Sequence, residues 1–195
     1  MKATKWARER FTYKAFKKGD FKAPHKAILL LIAVVRALHG EDRLTHYSDL
    51  DAEFQRLWRL FGSGSGTSTH YPFWYLRNDV KGRLWEVPHS EALLSLLGDR
   101  KRKKDVPHRL LVESPLAMAG FPQELHEQLV RFRRRTVENV APYLLEQSFP
   151  ASMHSEVLDA LCPSCWDAGV PRWDGPGMAG GVCTIVQPSC SGGAS

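Results

Sequence analysis

Cysteine is missing from most of this 195-residue chain: Cys162, Cys165, Cys183 and Cys190 are the only four, and none comes earlier. No disulfide framework can therefore staple the main body. Long apolar runs are also missing. Ala27 to Val35 is the most apolar stretch, far short of the roughly 20 residues a membrane span needs, so no membrane partner is expected. No apolar segment follows Met1-Lys2-Ala3-Thr4-Lys5-Trp6, which excludes a secretory signal from the reading and leaves a cytoplasmic location as the expectation. P-loop, nucleophile-elbow and HExxH patterns are absent, which removes the motif-based grounds for calling an enzyme or a cofactor. The Gly62-Ser63-Gly64-Ser65-Gly66 alternation follows a helical pattern instead of a strand, so it is no dinucleotide fingerprint. No internal repeat is visible.

What the chain does have is positive charge on an ordinary globular composition. Hydrophobic residues make up 43%, enough for a core. Lys plus Arg number 27 against 21 Asp plus Glu, a net charge of +6. This balance favours a polyanionic partner, nucleic acid first. The charge is clustered at Lys17-Lys18, at Arg100 to Lys104 and at Arg131 to Arg135. Cations that neutralise phosphates release counterions, so binding through these clusters would be steeply salt-dependent.

Periodicity divides the chain. The first 20 residues are basic with Trp6, Phe11, Tyr13 and Phe16, and read as a short helix ending at Gly19, with Lys17-Lys18-Gly19-Asp20 as an exposed loop. Pro24 suits the first turn of a helix that is apolar nearly all round and stops at Gly40, hence a central, buried one. Ser48 with Asp51 resembles a capping box ahead of Leu50, Phe54, Leu57, Trp58 and Phe61, and Gly62 ends that helix. Phe73 to Leu76 and Leu84 to Val87 read as the arms of a β-hairpin. Ser90 caps a short helix, and Pro122 opens another with Leu125, Leu129, Phe132 and Val140 on its buried face. Leu144 to Phe149 continues the packing. The expected fold is mainly α with a small β-hairpin (α+β), in a winged-helix-like DNA-binding layout. Residues 1–160 form that domain. Residues 161–195, rich in Cys, Gly and Pro, read as a poorly structured tail.

Three constellations could carry chemistry. His25 and Lys26 sit in the first turn of the apolar helix, where unpartnered N–H groups and the positive dipole end make an anion site. Tyr71-Pro72 offers an aromatic face and a rigid apolar ring, poorly suited to an ordinary phosphate oxygen. The third is a possible metal frame in the tail. Cys162-Pro163-Ser164-Cys165 has zinc-like spacing, but six residues separate Cys183 from Cys190 and no histidine follows His154. A nuclease histidine inside that frame is absent, so no catalytic residue, metal or cofactor is assigned, and the four cysteines are weak candidates only.

The segments Ala23-Pro24-His25-Lys26-Ala27-Ile28-Leu29-Leu30-Leu31, Tyr71-Pro72-Phe73-Trp74-Tyr75-Leu76 and Leu84-Trp85-Glu86-Val87 together resemble the sulfur-binding domain of phosphorothioate-dependent, McrA-like restriction endonucleases, over roughly residues 10 to 155. The resemblance implies a mostly helical domain that binds double-stranded DNA carrying a backbone phosphorothioate, in which sulfur replaces a non-bridging oxygen. It implies a shallow apolar sulfur cavity at His25, Lys26, Tyr71, Pro72 and Tyr75. It also implies DNA contacts from Lys17, Lys18, Gly19 and Asp20 and from the segment of Arg100, Lys101, Arg102 and Lys103, to which our reading of the residues adds Ser63, Ser65 and His70. Lys26 stands where some members have Arg, and Tyr75 is bulkier than the small residue of others. Full-length relatives continue into an HNH nuclease domain. Here Ser152 to Leu158 resembles the approach to it, and the Cys/Gly/Pro tail follows. A reader of modified DNA is therefore expected, the alternatives being an HNH-type endonuclease and a winged-helix regulator indifferent to sulfur.

Overall fold

The computed structural model describes residues 5–14, 17–18, 21–62, 68–97 and 106–162. Helix α1 (Lys5–Phe11) leads to the antiparallel pair β1 (Lys17–Lys18) and β2 (Phe21–Lys22), in register Lys17 with Lys22 and Lys18 with Phe21. The central helix α2 (His25–Leu38) begins two residues later. Then come β3 (Leu44–His46), α3 (Tyr47–Phe61), α4 (His70–Tyr75) with a 3-10 segment at Leu76–Gly82, α5 (Ser90–Ser95), α6 (His108–Glu113) and β4 (Met118–Gly120). Helix α7 (Gln123–Arg131), the short α8 (Arg133–Arg135), a π-helical turn at Thr136–Val140, α9 (Ala141–Ser148) and α10 (His154–Leu161) complete the described order. The fold is mainly helical with small antiparallel strand pairs, as expected. No helix among the described residues is long and apolar enough to cross a membrane.

Helix α2 organises the core because its sequence leaves it no polar face. Ala27, Leu29, Leu30, Leu31 and Val34 are fully buried, and α3, α4, α7 and α9 pack around it. Its one late charge, Arg36, reaches Glu53 at 2.5 Å and Glu41 at 2.6 Å. Gly40 follows with φ of +74°, the left-handed conformation that ends helices without a Cβ penalty. Pairing of β3 with β4 (Leu44 with Gly120, Thr45 with Ala119, His46 with Met118) closes the side behind Trp85. Gly120 also exchanges backbone hydrogen bonds with Glu86, at 2.9 and 3.2 Å. A Cβ on Gly120 would collide with the Arg43 carbonyl, so the close strand approach requires glycine.

Several local expectations are corrected. The stretch read as a hairpin, Phe73–Leu76 with Leu84–Val87, is helical at its first arm and continues as the 3-10 segment; Glu86 instead bridges to Gly120. Aromatic enrichment suggested strands, but burial of Phe73 and Trp74 on one side of α4 decides the conformation. The first helix ends at Phe11 rather than Gly19, and Lys17-Lys18 is a strand rather than a loop. The cap of α3 is His46, whose Nδ1 accepts from the Ser48 N–H at 3.2 Å, not Ser48 itself. Pro24 occupies the N-cap of α2 instead of its first turn.

Candidate nucleic-acid interface

Pro24 donates no N–H and provides no side-chain cap, and the first intrahelical bond of α2 runs from the Ile28 N–H to the Pro24 carbonyl at 2.9 Å. Among the described residues no side chain caps the N–H groups of the opening turn, which stand at the positive end of the helix dipole.

Burial sets the state of the two polar side chains of that turn. Burial, helped by the neighbouring Lys26 charge, pushes His25 down to about 4. The imidazole is neutral at pH 7 and offers hydrogen bonds instead of charge. Lys26 is only 9% exposed, and its Nζ donates to Asp79 Oδ2 at 2.6 Å. Asp79 is buried too, and its second oxygen accepts from the Lys14 N–H at 3.4 Å. This ion pair staples the first turn of α2 to the 3-10 segment that continues α4. Sequence reading missed Asp79, which falls between the two segments read as hairpin arms. A signal existed: Asp79 is the sole acidic residue between Glu53 and Glu86, among five Lys and Arg. An isolated carboxylate in basic, aromatic surroundings is a candidate for a buried partner.

The pH consequence is definite in sign. A histidine held below its unfolded value binds fewer protons in the native state than in the unfolded one. The stability it contributes is complete above about 6.5, its unfolded pKa, and is lost as pH falls toward about 4. His126, lowered by burial and Arg43, adds in the same direction. Urea midpoints measured from pH 7 to 4 should fall by the equivalent of up to about 3 kcal/mol for His25. His25→Gln should flatten the profile, and an unchanged profile in that variant would contradict the assignment.

Helix α4 presents a row of rings. Tyr71 is 49% exposed. It lies 4.0 Å from the His70 ring on one side and stacks on Tyr75 at 6.3 Å and 12° on the other. The Tyr71–Tyr75 contact follows from i, i+4 spacing on one helix face. Pro72, Phe73 and Trp74 turn inward and are buried. Proline is tolerated at this position because the first N–H groups of a helix need no partner. The Trp85 indole Nε1 donates to the Phe73 carbonyl at 3.0 Å and holds α4 from beneath. The Arg77 guanidinium covers Trp74 at 4.0 Å. His70 Nδ1 is hydrogen-bonded to the Ser68 hydroxyl.

Because α2 packs on α4, the two sequence-distant motifs fall on adjoining elements. Lys17 and Lys18 are placed by their backbone on β1, just ahead of α2. Gly19, Asp20, Ser63, Ser65, Arg100, Lys101, Arg102 and Lys103 lie outside the described residues, as do Cys165, Cys183 and Cys190. Cys162 is buried with its Sγ 3.4 Å from His39 Nε2. Among the described residues no group of three or more His, Cys, Asp or Glu could hold a metal ion. In the third basic cluster, Arg134 pairs with Glu138 at 2.7 Å and Arg135 covers Trp6 at 4.9 Å.

Two solved structures share this fold. One is the sulfur-binding domain of ScoMcrA complexed with phosphorothioated DNA, with a TM-score of 0.62 and 20% identity over 81% of this chain and 99% of that one. The other is the sulfur-binding domain of SprMcrA, also complexed with phosphorothioated DNA, with a TM-score of 0.58 and 21% identity over 83% and 93%. No curated protein matches the chain. The family model described as ScoMcrA-like, DNA sulfur-binding domain, matches residues 11–162. With the helical core, the α2 turn and the α4 ring row in that span, the chain belongs to the ScoMcrA-like DNA sulfur-binding domain family.

Proposed function

We propose that this domain binds double-stranded DNA carrying a backbone phosphorothioate and seats the sulfur against the exposed Tyr71 ring, with the buried Pro72 as the floor of the site. The observation that carries the reading is the exposed Tyr71 ring beside the buried Pro72, on a helix packed against α2. Phosphorothioate sulfur is larger, more polarisable and a poorer hydrogen-bond acceptor than oxygen. Apolar carbon can cover it at little desolvation cost, whereas an oxygen placed there would lose water without gaining donors. In this reading Tyr75 backs the Tyr71 ring and narrows the site. The N–H groups of the α2 opening turn hold the remaining phosphate charge, with a hydrogen bond from neutral His25. Lys26 contributes its aliphatic stem and keeps the turn in place. Lys17, Lys18 and Arg100 to Lys103 supply sequence-independent affinity through the backbone, while Ser63, Ser65 and His70 reach toward base edges.

A titration with two duplexes identical except for one phosphorothioate tests this. The modified duplex should bind tighter by about 1–3 kcal/mol, the discrimination an apolar contact of this size supplies. Tyr71→Ala should erase most of that difference. It should leave salt-sensitive binding of plain DNA and thermal stability nearly unchanged, because the side chain is half-exposed. Equal affinity of the wild type for both duplexes would overturn the proposal.

A further inference from the structure

We infer that Asp79 determines the sulfur preference of this site by withholding the Lys26 ammonium from the bound phosphate. The inference rests on the binding reading above and deepens it.

Lys26 is the only formally charged side chain in the first turn of α2. Left alone, its ammonium would stand beside the uncapped N–H groups and complete a strong oxyanion site. An ammonium rewards the better acceptor, so such a site would favour ordinary phosphate oxygen over sulfur and bind unmodified DNA well. Specificity is a difference of affinities, and it can be gained by making the wrong ligand bind worse. The structure contains the means. Asp79 Oδ2 holds Lys26 Nζ at 2.6 Å, with the two side chains 11% and 5% exposed. The Lys14 N–H occupies the other carboxylate oxygen at 3.4 Å, so the carboxylate is fixed from two sides. The pair carries no net charge. The first turn of α2 then offers a ligand N–H dipoles, a neutral imidazole and carbon, a combination that binds a diffuse anion without rewarding a hard oxygen. Asp79 touches neither phosphate nor sulfur in this arrangement; it acts through Lys26, as a positioning residue.

The test is Asp79→Asn, compared with wild type on the paired duplexes over a range of salt concentrations. The freed ammonium should raise affinity for the plain duplex. It should also steepen the salt dependence of that binding by about one phosphate contact, and bring the ratio of modified to plain affinity toward one. Asp79→Glu, which retains the carboxylate, should recover the ratio. A purely structural role would lower both affinities by the same factor and leave the salt slope and the ratio unchanged; that result overturns the inference while the binding reading stands. Equal affinities in the wild type would overturn both. A measurement on the wild type covers the case in which Asp79→Asn does not fold. The Lys26 ammonium, followed by nitrogen-15 NMR, should keep its shift and slow exchange when the modified duplex is added. A changed shift with faster exchange would show the ammonium passing to the phosphate and would overturn the inference.

Discussion

Lys26→Ala should cost about 3–5 kcal/mol of folding stability, the loss expected when one member of a buried ion pair is removed. The cause is Asp79, not the missing methylenes. With Lys26 gone, a 5% exposed carboxylate keeps the Lys14 N–H as its one hydrogen-bond donor among the described residues, and burying an uncompensated charge is expensive. Set against a typical total of about 5–15 kcal/mol, such a loss leaves the domain marginal at physiological temperature. The double replacement Lys26→Met with Asp79→Leu separates the two explanations. Both sites then hold apolar side chains of similar volume, and stability should return to wild-type level or above it. Urea denaturation followed by circular dichroism reads both variants. A double variant no more stable than Lys26→Ala would mean that the pair's burial is not the source of the cost.

Trp85→Ala should be equally damaging, at about 3–5 kcal/mol. Trp85 is 1% exposed, stands edge-on to Phe121 at 5.9 Å and donates to the Phe73 carbonyl. Removing it opens a cavity under α4 and releases the helix that carries Tyr71. Trp85→Phe should retain most of the packing and lose the hydrogen bond, costing about 1–2 kcal/mol. The two variants also separate site from scaffold. Trp85→Phe should bind the modified duplex nearly as the wild type does, while Trp85→Ala should lose binding together with stability. If Trp85→Ala melts within about 0.5 kcal/mol of wild type, the indole is not supporting α4.

How much of this was readable in the sequence depended on distance along the chain. Helix α2 was legible because an apolar run with a proline before it and a glycine after it has few other solutions. Helix α3 was legible from Leu50, Phe54, Leu57 and Trp58, although its cap was misplaced, since a histidine accepting through Nδ1 lacks a familiar signature. Helix α4 was not. A six-residue aromatic run has strand propensity, and only the packing of Phe73 and Trp74 settles it. Pairing of β3 with β4 joins Leu44 to Gly120, and no local pattern announces so distant a partner. The candidate site divided in the same way. His25, Tyr71 and Pro72 were visible as residue types in motifs. The charge state of His25 and the occupation of Lys26 by Asp79 depend on burial and on a contact spanning 53 residues, which a sequence motif does not encode.

The fastening of the N-terminal segment to α9 has a consequence for biosynthesis. The Phe11 carbonyl, the Thr12 hydroxyl and the Tyr13 hydroxyl are bonded to Gln147, Tyr143 and Ser148, partners 131 to 136 residues away. At roughly 5–20 residues per second, a ribosome takes about 7 to 27 s to produce those partners after Phe11 has been made. Contacts of such separation also form late because loop closure opposes them. Phe11 is fully buried in the finished domain. Its cover by α9 therefore has to wait for that interval, which places burial of this segment among the last folding steps during synthesis.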